Sequence, residues 1–351
     1  MHGYQGLILI RQSGGRQAMK DFLCMGVIGC GDIAVSRHLP AMHASDAVRI
    51  VALCDTDLER ANQLAARYEV PLATTDHREL LNDPGIDAVV ICTPPWITPL
   101  LTIESLQAGK HVLCEKPMAV DLETALKVRE AEQSSGCQVQ VGFTYRHGPL
   151  FETLRTWIRS GQLGAPLIYR MGIFDEIWDP DGNPEHYDRI YRTMERGSPS
   201  IHDGAHVADY LNFLSDSRVE EVQSFGLRTR EEFPASNYDL SVIRFANGDV
   251  AKVEIGWFMP RFPKGEFEVV GPRGIAIFDR DSRTVQLKNE TITQTVQLED
   301  DYFESCFKIQ LDKFVHSIKT GEPCIPGTQA GIDSLALTKA IEKSISGKPK
   351  C

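Results

Sequence analysis

The chain has 351 residues, which is too long for one ordinary hydrophobic core and suits about two domains. Hydrophobic residues make up 42% and charged residues 24%, and both values are typical of a folded globular protein. The formal net charge is −11 and no basic run occurs, so nucleic acid and anionic membranes are poor partners for the surface as a whole.

The first 21 residues predict a loose N-terminal extension. Their one apolar patch, residues 7–10, is too short for the core of a signal peptide. No apolar stretch is long enough to span a bilayer. The nine cysteines are odd in number and form no Cys-x-x-Cys pair, which favours reduced thiols over disulfides or a thiolate metal site. We therefore expect a cytoplasmic protein.

Residues 22–142 alternate short apolar runs with amphipathic stretches. The runs, predicted as strands, are 23–28, 50–54, 88–92, 111–114 and 138–141. The amphipathic stretches, predicted as helices, include 57–68, 98–108 and 122–134. This alternation is typical of βαβ units and predicts an α/β domain with a parallel sheet, the Rossmann arrangement.

Residues 143–351 have a different pattern, in which helices flank consecutive strands. Helices are predicted at 150–160, 202–214, 302–319 and 328–346, a strand at 166–173, and a long functional loop at 175–199. Seven further β runs lie between residues 220 and 296, with an Asn247-Gly248 hairpin turn. The pattern predicts an α+β domain, and we expect its C-terminal helices to pack back on the first domain.

The first motif with chemical meaning follows the run 23–28 and reads Gly29-Cys30-Gly31-Asp32-Ile33-Ala34. Gly29 permits a tight turn, and Gly31 has no side chain that would keep the backbone away from a pyrophosphate. The helix that starts here offers free N–H groups to phosphate. In this strand–turn–helix context the motif predicts a dinucleotide site that includes Asp32 and Ile33, and a plain turn is the alternative.

Asp55 follows the second predicted strand. A carboxylate at this place accepts hydrogen bonds from the adenosine ribose and repels a 2′-phosphate, which favours NAD over NADP. No arginine is adjacent in sequence, and Arg60 is the nearest. The alternative is that Asp55 only initiates the next helix, although Asp57 is also placed to cap it.

Two further motifs carry ionisable groups. Lys116, in Glu115-Lys116-Pro117, follows the strand at 111–114 and points toward the crevice beyond the strand ends, where a lysine can share the proton of a reacting alcohol. A solvated surface lysine is the alternative.

His202, Asp203 and His206 lie in one predicted helix, and we favour acid–base chemistry there over a divalent metal site.

Together these residues resemble the glucose–fructose oxidoreductase/inositol dehydrogenase/rhizopine catabolism (Gfo/Idh/MocA) family, from about residue 23 to the C-terminus. The similar motifs are Gly29-x-Gly31, Thr93-Pro94-Pro95, Ala108-Gly109-Lys110-His111-Val112, Glu115-Lys116-Pro117 and Gly204-x-His206-x-x-Asp209. The resemblance implies a Rossmann domain, a C-terminal domain with a large, mostly antiparallel sheet, and a homodimer or homotetramer. It also implies hydride transfer between NAD and a sugar, an inositol or a related polyol.

The resemblance also assigns roles to residues. Lys116 and His206 become the catalytic pair, Glu115 contacts the nicotinamide ribose, and the residues that line the cofactor cleft include Thr93, Pro94 and Pro95. Tyr145 and Arg146 fall on the cofactor or substrate side. Two departures from the family pattern stand out: Thr98 where a histidine is frequent, and His202 where polyol dehydrogenases of the family often have aspartate. The second departure leaves the substrate open.

These assignments predict a mechanism in which His206 takes the proton of a secondary alcohol and Lys116 stabilises the alkoxide. The predicted loop at 175–199, with Trp178, His186 and Tyr187, is a candidate lid and sugar-stacking surface or else an oligomer contact.

Two other functions could use the same cofactor site and the same ionisable residues. One is redox-neutral glycoside cleavage with bound NAD, and the other is a non-catalytic regulator that senses NAD and sugar.

Overall fold

The computed structural model describes residues 22–260 and 267–347, so the predicted extension at 1–21 lies outside the described residues. The first six strands form one parallel sheet. They are β1 (Leu23–Ile28), β2 (Val48–Cys54), β3 (Leu72–Thr74), β4 (Ala88–Ile91), β5 (His111–Cys114) and β6 (Val139–Val141). Their order, β3–β2–β1–β4–β5–β6, is that of a Rossmann fold and confirms the predicted α/β architecture.

Helices connect these strands. A π-helical turn (Ala34–His38) runs into the first α-helix, and the series is α1 (Leu39–His43), α2 (Leu58–Tyr68), α3 (His77–Asn82), α4 (Thr98–Gln107) and α5 (Leu122–Ser135). Asp57 and Asp121 cap α2 and α5, because each carboxylate accepts a hydrogen bond from a first-turn N–H. The sequence analysis misses β3 and α3, which are too short to show a hydrophobic period.

The remaining strands form a second, eight-stranded sheet. They are β7 (Ile168–Asp175), β8 (Val219–Leu227), β9 (Tyr238–Phe245), β10 (Val250–Trp257), β11 (Phe267–Gly271), β12 (Gly274–Asp279), β13 (Thr284–Asn289) and β14 (Thr293–Gln297). The order is β14–β13–β12–β11–β7–β10–β9–β8, and β7–β10 is its parallel pair. This large, mostly antiparallel sheet confirms the predicted α+β architecture.

The helices of the second half are α6 (Pro149–Arg159), α7 (Pro184–Met194), α8 (Pro199–His202), α9 (Gly204–Ser215), α10 (Tyr302–Thr320) and α11 (Thr328–Ser346). Two predictions are corrected here. The loop predicted at 175–199 contains α7, which Asn183 caps and whose apolar face is narrow. The helix predicted at 202–214 is interrupted at Asp203, so His202 ends α8 and His206 belongs to α9.

The last two helices help to cover the first sheet. Leu311, Phe314 and Val315 of α10 are buried in one cluster with β1, and Ile332 and Leu335 of α11 are buried in another with β4 and β5. Burial of each such side chain contributes about 2 kcal/mol, so these contacts hold the two halves of the chain together. Within residues 22–260 and 267–347, no helix is long and apolar enough to cross a membrane.

Candidate active site

The glycine turn after β1 is closely packed on one side and open on the other. Gly29 has φ +91°, and a Cβ there would lie 2.6 Å from the carbonyl oxygen of Cys92, so glycine is required. A Cβ at Gly31 would meet no described atom within 4 Å. The open space in front of Gly31 lies at the start of a helix, where N–H groups lack intrahelical acceptors, and it fits the pyrophosphate of a dinucleotide.

Asp55 links the end of β2 to this turn. Its Oδ2 accepts a hydrogen bond from the Cys30 N–H at 2.7 Å, and its Oδ1 accepts one from the Asp57 N–H at 2.9 Å. The guanidinium of Arg60 lies 3.5 Å from Oδ1, although Arg60 is five positions further along the sequence than Asp55. The carboxylate therefore lies beside the glycine turn at the predicted ribose position.

Thr93, Pro94 and Pro95 follow β4, which is the neighbour of β1 in the sheet. The strand order reverses between these two strands, and such a switch point opens a crevice beyond their carboxyl ends. The hydroxyl of Thr98 donates to the Thr93 carbonyl oxygen at 2.9 Å and closes the loop on itself. Threonine in place of the family's histidine thus stabilises one wall of the crevice.

Glu115 extends from the end of β5 into the same crevice. Its Oε1 lies 2.7 Å from Nε2 of His38, and both side chains are buried. The other oxygen, Oε2, accepts a hydrogen bond from the Lys116 N–H at 3.1 Å. The sequence analysis did not identify His38, because a single histidine in a helical turn shows no sign of a partner 77 residues away.

Lys116 is held by a partly buried acidic group. Its Nζ lies 2.9 Å from Oδ1 of Asp203, whose Oδ2 accepts a hydrogen bond from the Trp257 indole at 2.6 Å. Burial lowers the pKa of Lys116, but Asp203 outweighs it and holds that pKa above its ordinary value. Burial raises the pKa of Asp203, but Lys116 keeps it below its ordinary value. Both groups are therefore charged at neutral pH. The Lys116–Pro117 peptide is cis.

His206 lies next to this ion pair. Burial, and then the nearby Lys116 ammonium, hold its pKa well below the ordinary value, so the imidazole is neutral at pH 7. Its Nδ1 is buried without a hydrogen-bond partner among the described residues. The ring of Tyr145 stands edge-on to it, with 4.5 Å between the centroids. A neutral histidine beside a charged lysine can accept a proton while the lysine stabilises a negative oxygen.

Comparisons with known proteins identify the family of the chain. Residues 23–143 match the model described as "Oxidoreductase family, NAD-binding Rossmann fold", and residues 151–277 match the "GFO/IDH/MocA C-terminal domain". The chain belongs to the Gfo/Idh/MocA family. Its cofactor is NAD, as the Rossmann family model describes.

Proteins similar to this chain are named as dehydrogenases and reductases. The chain is 29% identical to inositol 2-dehydrogenase from Rubrobacter xylanophilus, over 93% of this chain and 92% of that protein. It is 27% identical to 1,5-anhydro-D-fructose reductase from Ensifer adhaerens, over 91% and 95%. The solved structure of myo-inositol 2-dehydrogenase from Lactobacillus plantarum superimposes with a TM-score of 0.81 at 20% identity, over 93% of this chain and 98% of that one.

His202 is the main departure of this Gfo/Idh/MocA protein. Its ring stacks on Trp257 with 5.5 Å between the centroids, and burial lowers its pKa to about 4, so it is neutral at pH 7. Asp203 supplies the carboxylate from the next position in the chain. Among the described residues no group of three His, Cys, Asp or Glu side chains forms a metal site.

Two acidic residues at the end of β7 were not identified from the sequence. Burial, and next the Asp203 carboxylate, raise the pKa of Asp175. Burial also raises the pKa of Glu176, although its hydrogen bond to His186 of α7 opposes this effect. Nothing in the local sequence places β7 beside α9, so only the fold reveals that Asp175 lies near Lys116.

Arg146 and Trp178 have partners in the structure that the sequence analysis did not anticipate. Arg146 forms a two-pronged ion pair with Asp209 of α9, so a carboxylate already binds its guanidinium. Trp178 is covered on one face by Arg230, at 3.8 Å from the ring centroid, and Tyr187 contacts it at an edge. One face of the Trp178 ring is therefore covered, and stacking of a sugar on this ring stays a prediction. Asp32 is exposed and Ile33 half-buried at the start of the π-helical turn.

Proposed function

We propose that this chain is an NAD-dependent dehydrogenase that oxidises a secondary alcohol of a sugar, an inositol or a related polyol. The observation that carries the proposal is the partly buried Lys116–Asp203 pair beside neutral His206, next to a crevice that fits a dinucleotide. Membership of an NAD-binding oxidoreductase family supports the redox chemistry, and the relatives named for inositol and anhydrofructose support the substrate class.

The residues proposed to hold NAD surround the crevice. The turn at 29–33 would receive the pyrophosphate, Asp55 the adenosine ribose, and Glu115 the nicotinamide ribose. Thr93, Pro94 and Pro95 would form the wall beneath the nicotinamide. The bound cofactor supplies the hydride acceptor, and the chain's own groups supply proton transfer, charge stabilisation and orientation.

The protein's part of the reaction uses three side chains. His206 accepts the proton of the substrate hydroxyl, because it is neutral at pH 7. Lys116 donates a hydrogen bond to the same oxygen and stabilises its developing negative charge. Asp203, fixed by the Trp257 indole, orients Lys116 and keeps it protonated. Tyr145 and His202 are proposed to line the substrate pocket. Burial of these groups excludes water and strengthens their electrostatic interactions.

The lowered pKa of His206 predicts the acid limb of the pH profile. As the pH falls, His206 stays neutral past its ordinary value of 6.5 and is protonated only below it. We therefore expect kcat/KM to keep well over half of its neutral value at pH 6.5 and to fall at lower pH. Steady-state rates from pH 5 to 9, with circular dichroism to verify folding, test this. A half-maximal rate at or above pH 6.5 would contradict it.

Asp55 is predicted to determine the preference for NAD. Its replacement by serine removes the charge that repels a 2′-phosphate and frees Arg60, which lies 3.5 Å away. We expect D55S to raise the ratio of kcat/KM with NADP to that with NAD by at least about tenfold. The double variant D55S/R60Q is the matched control and should lose most of this gain. An unchanged ratio in D55S would refute the assignment.

The function is tested by incubation of the purified protein with NAD⁺ and a panel of monosaccharides, inositols and glycosides. NADH absorbance and product analysis are measured together. NADH formed in equal amount to an oxidised polyol is the expected result. Product without net NADH would instead support redox-neutral glycoside cleavage, and NADH binding without any turnover would support a regulator. The family also implies a homodimer or homotetramer. This stays a prediction, which a molar mass measured by light scattering would test.

A further inference from the structure

One helix from the second half of the chain contacts both walls of the cofactor crevice. Nη2 of Arg189, in α7, lies 2.9 Å from Oδ2 of Asp32 in the turn after β1. Just beyond the end of α7, the guanidinium of Arg196 lies over the Trp96 ring, in the loop after β4, at 4.3 Å from its centroid. Because β1 and β4 are neighbours at the switch point, α7 crosses the crevice between them.

The helix is anchored in this position by its apolar face. Ile190 and Met194 are buried in a small cluster with Phe233, Trp257 and Phe258. The same Trp257 donates a hydrogen bond to Asp203 of the catalytic group. Packing that continues into the site therefore holds α7 over the crevice, with Arg189 in the helix and Arg196 just beyond its end.

The ion pair between Arg189 and Asp32 is weak enough for Arg189 to exchange Asp32 for a bound pyrophosphate. Their side chains are 53% and 80% exposed, and ion pairs this exposed contribute little stability. His186 holds the same guanidinium from the other side, with 2.8 Å between Nη2 and Nδ1. A pyrophosphate in the adjacent turn carries two negative charges and matches the planar guanidinium better than a single exposed carboxylate does.

We propose that α7 is a clasp over the dinucleotide, in which Arg189 contacts the pyrophosphate and Arg196 closes the opposite wall through Trp96. The inference rests on the proposed function only for the identity of the molecule in the crevice. The clasp adds a cofactor contact from outside the Rossmann sheet. Release of the cofactor then requires α7 to move, so the two arginines set the rate at which NADH dissociates.

The test is a stopped-flow chase, in which protein loaded with NADH is mixed with excess ADP-ribose and the loss of NADH fluorescence is followed. We expect R189Q to raise the dissociation rate about tenfold, the effect of one charge-assisted contact. We expect R196Q to raise it about threefold, the effect of one exposed cation–π contact. R192Q is the matched control, because Arg192 is exposed on the same helix and the variant removes the same charge.

The outcomes separate this inference from the proposed function. Unchanged dissociation rates in R189Q and R196Q would overturn the clasp, and so would an equal increase in R192Q, which would indicate a general effect of charge. Predicted rate changes in a protein that oxidises no polyol would retain the clasp and overturn the substrate class. No NADH binding by the unaltered protein would overturn both. Equal melting temperatures of the variants would verify that α7 remains folded.

Discussion

Replacement of Lys116 by methionine, or of His206 by glutamine, is expected to lower kcat by about a thousandfold. Each variant keeps the approximate shape of the side chain and removes the charge or the basic nitrogen. K116M also leaves the partly buried Asp203 beside the Trp257 indole without its cation, which costs stability as well as activity. Steady-state kinetics measures kcat, and NADH fluorescence titration measures cofactor affinity, which we expect to change by less than about threefold.

Lys127 provides the matched control for K116M. It is an exposed lysine that pairs with Glu123 one helical turn away, and it lies outside the crevice. K127M removes the same charge and should leave kcat unchanged. Retention of more than about a tenth of the activity in K116M or H206Q would contradict the assignment of these residues to proton transfer and charge stabilisation.

The second large effect concerns the two glycines of the cofactor turn. A methyl group at Gly31 meets open space in the described protein, so G31A should fold normally. The same methyl group would occupy the volume proposed for the pyrophosphate, and we expect NADH affinity to fall at least about a hundredfold. Thermal unfolding and NADH titration of G31A distinguish these two expectations.

Gly29 should behave in the opposite way. It has φ +91°, and a Cβ would overlap the Cys92 carbonyl oxygen, so we expect G29A to lose roughly 3 kcal/mol of unfolding free energy. Gly109 is the control, with φ +76° and open space around its Cβ position. G109A should lose only about 1 kcal/mol, the cost of the left-handed backbone. Wild-type NADH affinity in G31A would refute the placement of the cofactor.

The first sheet was predictable because its local patterns agree with its final environment. The run at 23–28 is apolar throughout and the run at 111–114 is apolar after His111, as strands buried on both faces are, and they become β1 and β5 with the same boundaries. The second sheet was predictable from alternating residues and from the Asn247-Gly248 turn. α7 was missed because Asp, Pro and Gly surround it and only Ile190 and Met194 of its residues are buried.

Within the site, motifs predicted the residues but not their partners. Lys116 and Asp203 are 87 positions apart in sequence, so their ion pair depends on how β5 and α9 pack. The same limit applies to Trp257, which reaches Asp203 from β10. Arg146 shows the same limit. Its place in a motif does not reveal that Asp209 binds its guanidinium.

Transfer of hydride from a substrate carbon is the most direct test of the proposed dehydrogenase. Protein, NAD⁺ and the polyol identified by the substrate panel, deuterated at its carbinol carbons, are incubated together. Mass spectrometry then measures the deuterium in the reduced cofactor. The Lys116–Asp203–His206 site predicts one deuterium in each reduced nicotinamide. It also predicts one molecule of oxidised polyol for each molecule of NADH formed. Oxidised or cleaved product with no deuterium in the cofactor would contradict it.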